Sequence, residues 1–159
     1  LLLPDLKAQL TRQNVEPGRV TFEITETVAI SSLRDAARLM QQVHDLGCRF
    51  ALDDFGSGFA SYAYLRQLPV DDVKIDGAFI RDLVENREDQ IFVKAITDIS
   101  HAMGKRVIAE FVENEAILRI LNELGVDYAQ GYHIGRPAPL PGEPFGETNS
   151  VRLPKVWRG

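Results

Sequence analysis

The sequence is poor in cysteine. Cys48 stands alone among 159 residues, which excludes an internal disulfide and suits a reducing cytoplasm. Long apolar runs are also missing. None approaches the ~20 residues a membrane-crossing helix needs, so no membrane segment is expected. The opening Leu1-Leu2-Leu3 is cut short by Pro4 and Asp5 and lacks the charged start of a secretion signal. Positive charge is outnumbered: 18 Lys and Arg stand against 23 Asp and Glu, a net charge of −5. That balance argues against binding a DNA or RNA polymer, whose backbone calls for a basic surface. Several catalytic signatures are absent as well: no GxSxG elbow, no GxGxxG after a strand and no P-loop. An initiator methionine is lacking, and the chain is expected to belong to a longer protein.

What is present is an alternation of strand-like and helix-like segments. Residues 19–25 (RVTFEIT) are β-branched and aromatic and predict a strand. Ser31 or Ser32 is positioned to cap a helix whose apolar face runs Leu33, Ala36, Ala37, Leu39, Met40, Val43 and Leu46. Gly47 follows in the left-handed turn that glycine adopts cheaply. Residues 49–52 predict a second strand, ending at Asp53-Asp54. After the loop FGSGF come a short helix over 62–68, a strand over 72–75 and a helix over 89–103. That helix carries Ile91, Phe92, Ala95, Ile96 and Ile99. Residues 106–109 predict the fourth strand. Asn114 caps a helix bearing Ala116, Ile117, Ile120, Leu121 and Leu124, Gly125 ends it, and residues 127–130 give the last strand. Leu6, Leu10 and Val15 read as a helix of an earlier unit. These are about five βα steps, with helices long enough for parallel crossovers. The fold class expected is α/β, a parallel barrel in which no linker divides residues 1–140. Residues 141–159, rich in Pro, Gly, Glu and Ser at their start, form a C-terminal extension.

The polar residues fall at telling places. Glu23 lies in the first strand, Asp53 and Asp54 after the second, Lys74 and Asp76 at the third, Glu110 at the fourth and Gln130 at the fifth. The strand ends of a parallel barrel meet at one mouth, where the site lies. A lone acid after a strand is more often a cap or turn residue. Recurrence at successive strand ends is a different matter. Gathered carboxylates repel one another unless cations are present, and hard oxygen ligands favour Mg²⁺, Mn²⁺ or Ca²⁺ over zinc. Two such ions can hold a phosphodiester and activate a water, with Lys74 orienting that water or neutralising developing charge. Phosphoryl hydrolysis is the chemistry this set suits. The bland reading holds for His44 and His101 as surface and helix-end histidines. It holds too for Cys48 as a packed small hydrophobe, for Arg87-Glu88-Asp89 as a solvated helix start, and for Tyr62, Tyr64 and Phe79 as packing residues. His133 follows a site motif and gets the same structural reading.

Residues 22–26 (FEITE) resemble the E(I/L)TE motif of EAL domains, and residues 51–58 (ALDDFGSG) resemble their DDFGTG motif. Residues 73–76 (VKID) resemble KID, residues 110–113 (EFVE) resemble EGVE, and QGY at 130–132 with Arg136-Pro137 resembles the QGY…RP segment. Any one would be weak; the ordered set over roughly residues 3–140 is specific. The resemblance implies a TIM-like (β/α)₈ barrel of EAL type, here incomplete, with residues 1–140 as its C-terminal two-thirds. It also implies hydrolysis of cyclic di-GMP to pGpG with two Mg²⁺ or Mn²⁺ ions. By position, Glu23, Asp53 and Asp54 are metal ligands, and Glu110 is a metal ligand or the general base. Lys74 contacts the nucleophilic water. Glu113 and Gln130 line the substrate pocket, with Pro137 at its rim. Glu26 anchors the DDFGSG loop, a region that implies a homodimer. The departures are Ser57 for threonine, Phe111 for glycine and Gly77 for a frequent arginine. The glutamate of the EAL signature and a further asparagine ligand are expected before Leu1, so the 159 residues alone are expected to be inactive. The competing class is a catalytically silent EAL-like receptor or interaction module, which commonly lacks part of the set Glu23, Asp53, Asp54, Lys74 and Glu110.

Overall fold

The computed structural model describes residues 2–56, 62–137 and 150–152. The chain divides into two compact units, Leu1–Val73 and Lys74–Gly159.

In the first unit, helix α1 (Leu2–Arg12) precedes a 3-10 turn at Pro17–Arg19, where proline opens the turn without needing an N–H partner. Strand β1 (Thr21–Thr25) pairs in parallel with β2 (Arg49–Phe55), in a register running from Thr21 against Arg49 to Thr25 against Asp53. Two helices fill the crossover. One, α3 (Leu33–His44), buries Ala36, Met40 and Val43 on the face the sequence predicts. The other, α2 (Glu26–Ser31), has no counterpart in the sequence reading. Ser32 precedes α3 without capping it; its hydroxyl donates to Asp35 Oδ2 at 2.6 Å instead. Phe50 and Leu52, two apart in β2, are buried, and the Phe22 and Phe50 ring centroids lie 5.6 Å apart. Cys48 is buried as a packing residue. Helix α4 (Tyr62–Gln67) follows, and β3 (Asp72–Ile75), buried along its length, carries the boundary between the units.

In the second unit, a 3-10 turn at Gly77–Phe79 leads to α5 (Arg87–Ala102). Asn86 caps α5, its side chain accepting from the N–H of Glu88 and Asp89 at 2.9 and 3.3 Å. The charge run 87–89 is the first turn of that helix. Its buried stripe is Val93, Thr97 and Ser100, whereas Ile91 and Ala95 are exposed. The predicted apolar face is therefore rotated. Apolar type alone does not decide burial, and Thr97 fits inside by donating its hydroxyl back to Val93 O at 2.7 Å. Strand β4 (Arg106–Ala109) pairs in parallel with β5 (Tyr128–Gln130) across helix α6 (Glu115–Leu124). Asn114 caps α6 through Ile117 N at 2.9 Å, and Gly125, at φ 83°, closes it. The core joins Ile75, Ile80, Leu83, Val93, Val107, Ala109, Val112, Ile117, Leu121, Val126 and Ala129, with Phe79 stacked on Phe92 at 4.1 Å. A short strand β6 (Ser150–Arg152), within the segment assigned to an extension, pairs antiparallel with β5.

One device appears in both units. In the first, Asp71 donates its N–H to Phe50 O at 2.8 Å, while its Oδ2 accepts from Phe50 N and meets His44 Nε2, each at 2.8 Å. In the second, Asp127 does the same with Val107 and His101, at 3.1, 2.9 and 2.7 Å. Each aspartate, placed just before a strand, satisfies both main-chain groups at the start of the preceding one.

Candidate active site

β1 and β2 place the first group of acids. Cross-strand partners in a parallel pair share a face, and residues two apart return to it. With Glu23 opposite Ala51 and Thr25 opposite Asp53, Glu23 and Asp53 lie on one face, one register step apart. Glu23 sits in the middle of β1 and is exposed; Asp53 and Asp54 are half-buried within β2, which runs on to Phe55. Asp54 has φ 54°, a left-handed conformation that aspartate tolerates better than most residues. Its backbone therefore turns away from the regular pleat immediately after Asp53.

Glu26 begins α2, is buried at 2% exposure, and accepts the N–H of Gly56 through Oε2 at 3.0 Å. The buried Glu26 carboxylate thus holds a main-chain N–H of the DDFGSG segment. The rest of that loop, Ser57 to Ser61, lies outside the described residues, and with it the expected dimer region.

In the second unit, Lys74 Nζ and Glu110 Oε1 are 3.0 Å apart, their side chains 5% and 16% exposed. Lys74 lies in β3 and Glu110 directly follows β4, so two strand ends deliver the pair. Asp76 takes the bland reading: it accepts from Ala78 N at 2.8 Å and caps the turn at 77–79. Glu110 also lines a cleft of about 300 Å³ with Phe111, Glu113, Gln130, Gly131 and Tyr132. Glu113 and Gln130 are exposed. Pro137 is exposed too and is not among the cleft's lining residues.

Close main-chain packing shapes this cleft. Val112 N donates to Gln130 O and His133 N donates to Val112 O, both at 3.0 Å. A Cβ on Gly131 would meet Val112 N at 2.3 Å, so only glycine permits the approach. His133 faces Glu115 Oε2 at 3.2 Å, a surface pair. Phe111 and Tyr132, which line the cleft, carry the polar set's apolar complement. Arg81, whose guanidinium lies 4.4 Å from the Phe111 ring centroid, escaped the sequence reading because no motif includes it.

Residues 2–137 match the family described as EAL domain, and the chain belongs to that family. It is 55% identical over 121 residues to the cyclic di-GMP phosphodiesterase PdeB of Shewanella oneidensis, covering 76% of this chain and 14% of that protein. It is 45% identical over 129 residues to the probable cyclic di-GMP phosphodiesterase PdeA of Escherichia coli, covering 81% and 18%. Among solved structures it resembles PaMucR phosphodiesterase in its c-di-GMP complex, with a TM-score of 0.81 at 33% identity, covering 87% of this chain and 56% of that one. It also resembles Klebsiella pneumoniae BlrP1 in a manganese and cy-diGMP complex, with a TM-score of 0.80 at 27% identity, covering 85% and 34%. The fold is thus the TIM-barrel-like α/β fold of EAL domains, of which the chain spans a part. No helix among the described residues is long and apolar enough to cross a membrane.

Proposed function

We propose that this chain is part of an enzyme that hydrolyses cyclic di-GMP to pGpG, acting in the cytoplasm within a longer signalling protein. The observation that carries the reading is the Lys74–Glu110 ion pair, its lysine buried, at the rim of a cleft that also presents Glu113 and Gln130. The relatives named as phosphodiesterases and the solved complexes with the dinucleotide support it.

The donor set fits hard divalent cations. Glu23, Asp53, Asp54 and Glu110 offer oxygen only, with no thiol among them, and such sites suit Mg²⁺ or Mn²⁺. In this proposal those four carboxylates are the metal ligands this chain supplies. Two bound ions would lower the pKa of a water and stabilise the leaving oxygen of a phosphodiester. Lys74, held by Glu110, is a rigid cation that would orient the attacking water and offset charge building on phosphorus. Glu110, already within reach of one proton donor, would accept the water's proton as the new P–O bond forms, and that proton would pass to the 3′-oxygen as the ring P–O3′ bond breaks, leaving a 3′-hydroxyl. Glu113 and Gln130 would hold the nucleotide, with Pro137 at the rim. Glu26 would fix the loop through Gly56, and that loop region is the proposed seat of a homodimer, checked by light scattering of the native protein.

The resemblance assigns two further ligands to positions outside these residues, so turnover by the 159 residues alone is not expected. The test is turnover of cyclic di-GMP by the full native chain, with and without chelator. Formation of pGpG restored by Mg²⁺ or Mn²⁺ is the expected result. Tight binding without cleavage would replace the enzyme with a receptor.

A further inference from the structure

Two stretches of this chain follow one plan, one in each unit. His44, Gly47, Phe50 and Asp53 stand at the same spacing as His101, Gly104, Val107 and Glu110. The backbone repeats with the residues. Cys48 N donates to Val43 O at 3.3 Å on leaving the first helix, and Lys105 N to Ser100 O at 2.9 Å on leaving the second. Gly47 and Gly104 stand at φ 89° and 72°, and the residues directly behind the two acids, Asp54 and Phe111, at φ 54° and 55°.

Each acid therefore closes a short run of main chain that is held at both ends. At the start, Asp71 engages the N–H and the C=O of Phe50, and Asp127 those of Val107. The carboxylate of each is met from its other side by the helix-end histidine. Behind the acid, the chain enters the left-handed region, which strains a phenylalanine and persists only where the surroundings over-determine it. Only Ala51-Leu52 in one unit and Ile108-Ala109 in the other lie between the clamped residue and the acid. At about 3.3 Å per strand residue, each clamp is about 10 Å from the acid it precedes. Satisfying the main chain where a strand starts is indifferent to what stands further along it. Here both clamped strands carry a carboxylate at the same step, with a left-handed residue behind it.

We propose that Asp71 and Asp127 are positioning residues, each setting the height at which its strand presents Asp53 or Glu110 to a divalent cation. This rests on the function proposed above, in which both carboxylates are metal ligands, and deepens it. Mg²⁺ demands near-ideal octahedral geometry, so a ligand displaced by a fraction of an ångström holds it poorly. Releasing a clamp leaves the acid itself untouched and frees only the main chain that carries it.

The test is calorimetric titration of the full native chain with Mn²⁺, without nucleotide, beside its urea midpoint. Asp71→Ala and Asp127→Ala should each raise the Kd for Mn²⁺ about tenfold, as loss of supporting groups around a metal site does. Asp127→Asn removes the same charge but keeps an acceptor for Val107 N, so its Kd should stay within about twofold of wild type. Val93→Ala empties core space in the same unit; it should lower the urea midpoint and leave the Kd unchanged. Should Asp127→Ala fail to fold, Asp127→Glu, which keeps an acceptor but lengthens its reach, should weaken Mn²⁺ binding in its place. A wild type that binds Mn²⁺ no more tightly than the alanine variants overturns this inference alone. So does an asparagine variant as weak as alanine, which would assign the loss to charge, or an equal loss in Val93→Ala, which would assign it to stability. A wild type that binds no Mn²⁺ overturns the metal-dependent reading as well.

Discussion

The Lys74 ammonium and the Glu110 carboxylate stand 3.0 Å apart with little of either exposed. Removing one member of such a pair leaves the other charged and desolvated, at a cost of about 3–5 kcal/mol. Lys74→Met is therefore expected to lower the unfolding midpoint sharply. Adding Glu110→Gln to that variant should recover part of the loss, a coupling of about 1–3 kcal/mol. Urea titration of the four chains would check this. If the two losses simply add, the pair is not an energetic unit.

Asp71 and Asp127 each hold a main-chain N–H, of Phe50 and Val107, that lies close to a buried strand. Alanine at either position orphans that donor and should cost about 1–3 kcal/mol by denaturant unfolding. His101→Ala removes an exposed partner and leaves the Asp127–Val107 bond in place, so its effect should be within about 0.5 kcal/mol. A larger loss from the histidine than from the aspartate would reverse the assignment.

Ser100 is fully buried in α5, and its hydroxyl has no hydrogen-bond partner among the described residues. Burying an unsatisfied hydroxyl is costly, and alanine has the higher helix propensity. Ser100→Ala should stabilise the protein by about 1 kcal/mol. A lowered melting temperature would show that the hydroxyl is satisfied after all.

Burial pushes the Cys48 thiol up from its ordinary pKa, so the reactive thiolate is scarcer at any given pH than in an open peptide. With only 2% of the residue exposed, iodoacetamide at neutral pH should label the native chain slowly and the urea-unfolded chain rapidly. Fast native labelling, followed by mass spectrometry, would contradict a packed thiol.

Much of this protein was legible in one dimension. β3 at 72–75 and β4 at 106–109 coincide with the predicted strands. The reason is that a short β-branched run between a turn and a strand-end polar residue admits few other structures. The caps at Asn114 and Gly125 were equally plain, because their chemistry is local. The site motifs stand in sequence order and needed no coordinates to be seen. Helix α2 was not legible: it follows β1 without a capping side chain.

What only the tertiary structure decided are relationships between distant residues. His44 lies 27 residues from Asp71 and His101 26 from Asp127, and no local propensity links them. The buried stripe of α5 was set by its neighbours: Ser100 went inside while Ile91 stayed out. Gly77 and Phe111 each look like an isolated substitution along the chain, yet a Cβ on Gly77 would meet the Phe111 ring at 2.1 Å, a fit that exists only once two strand ends converge. Sequence fixes which groups are available and where each element begins. Their partners follow from excluded volume and the saturation of buried polar groups, properties that exist only once the chain has packed.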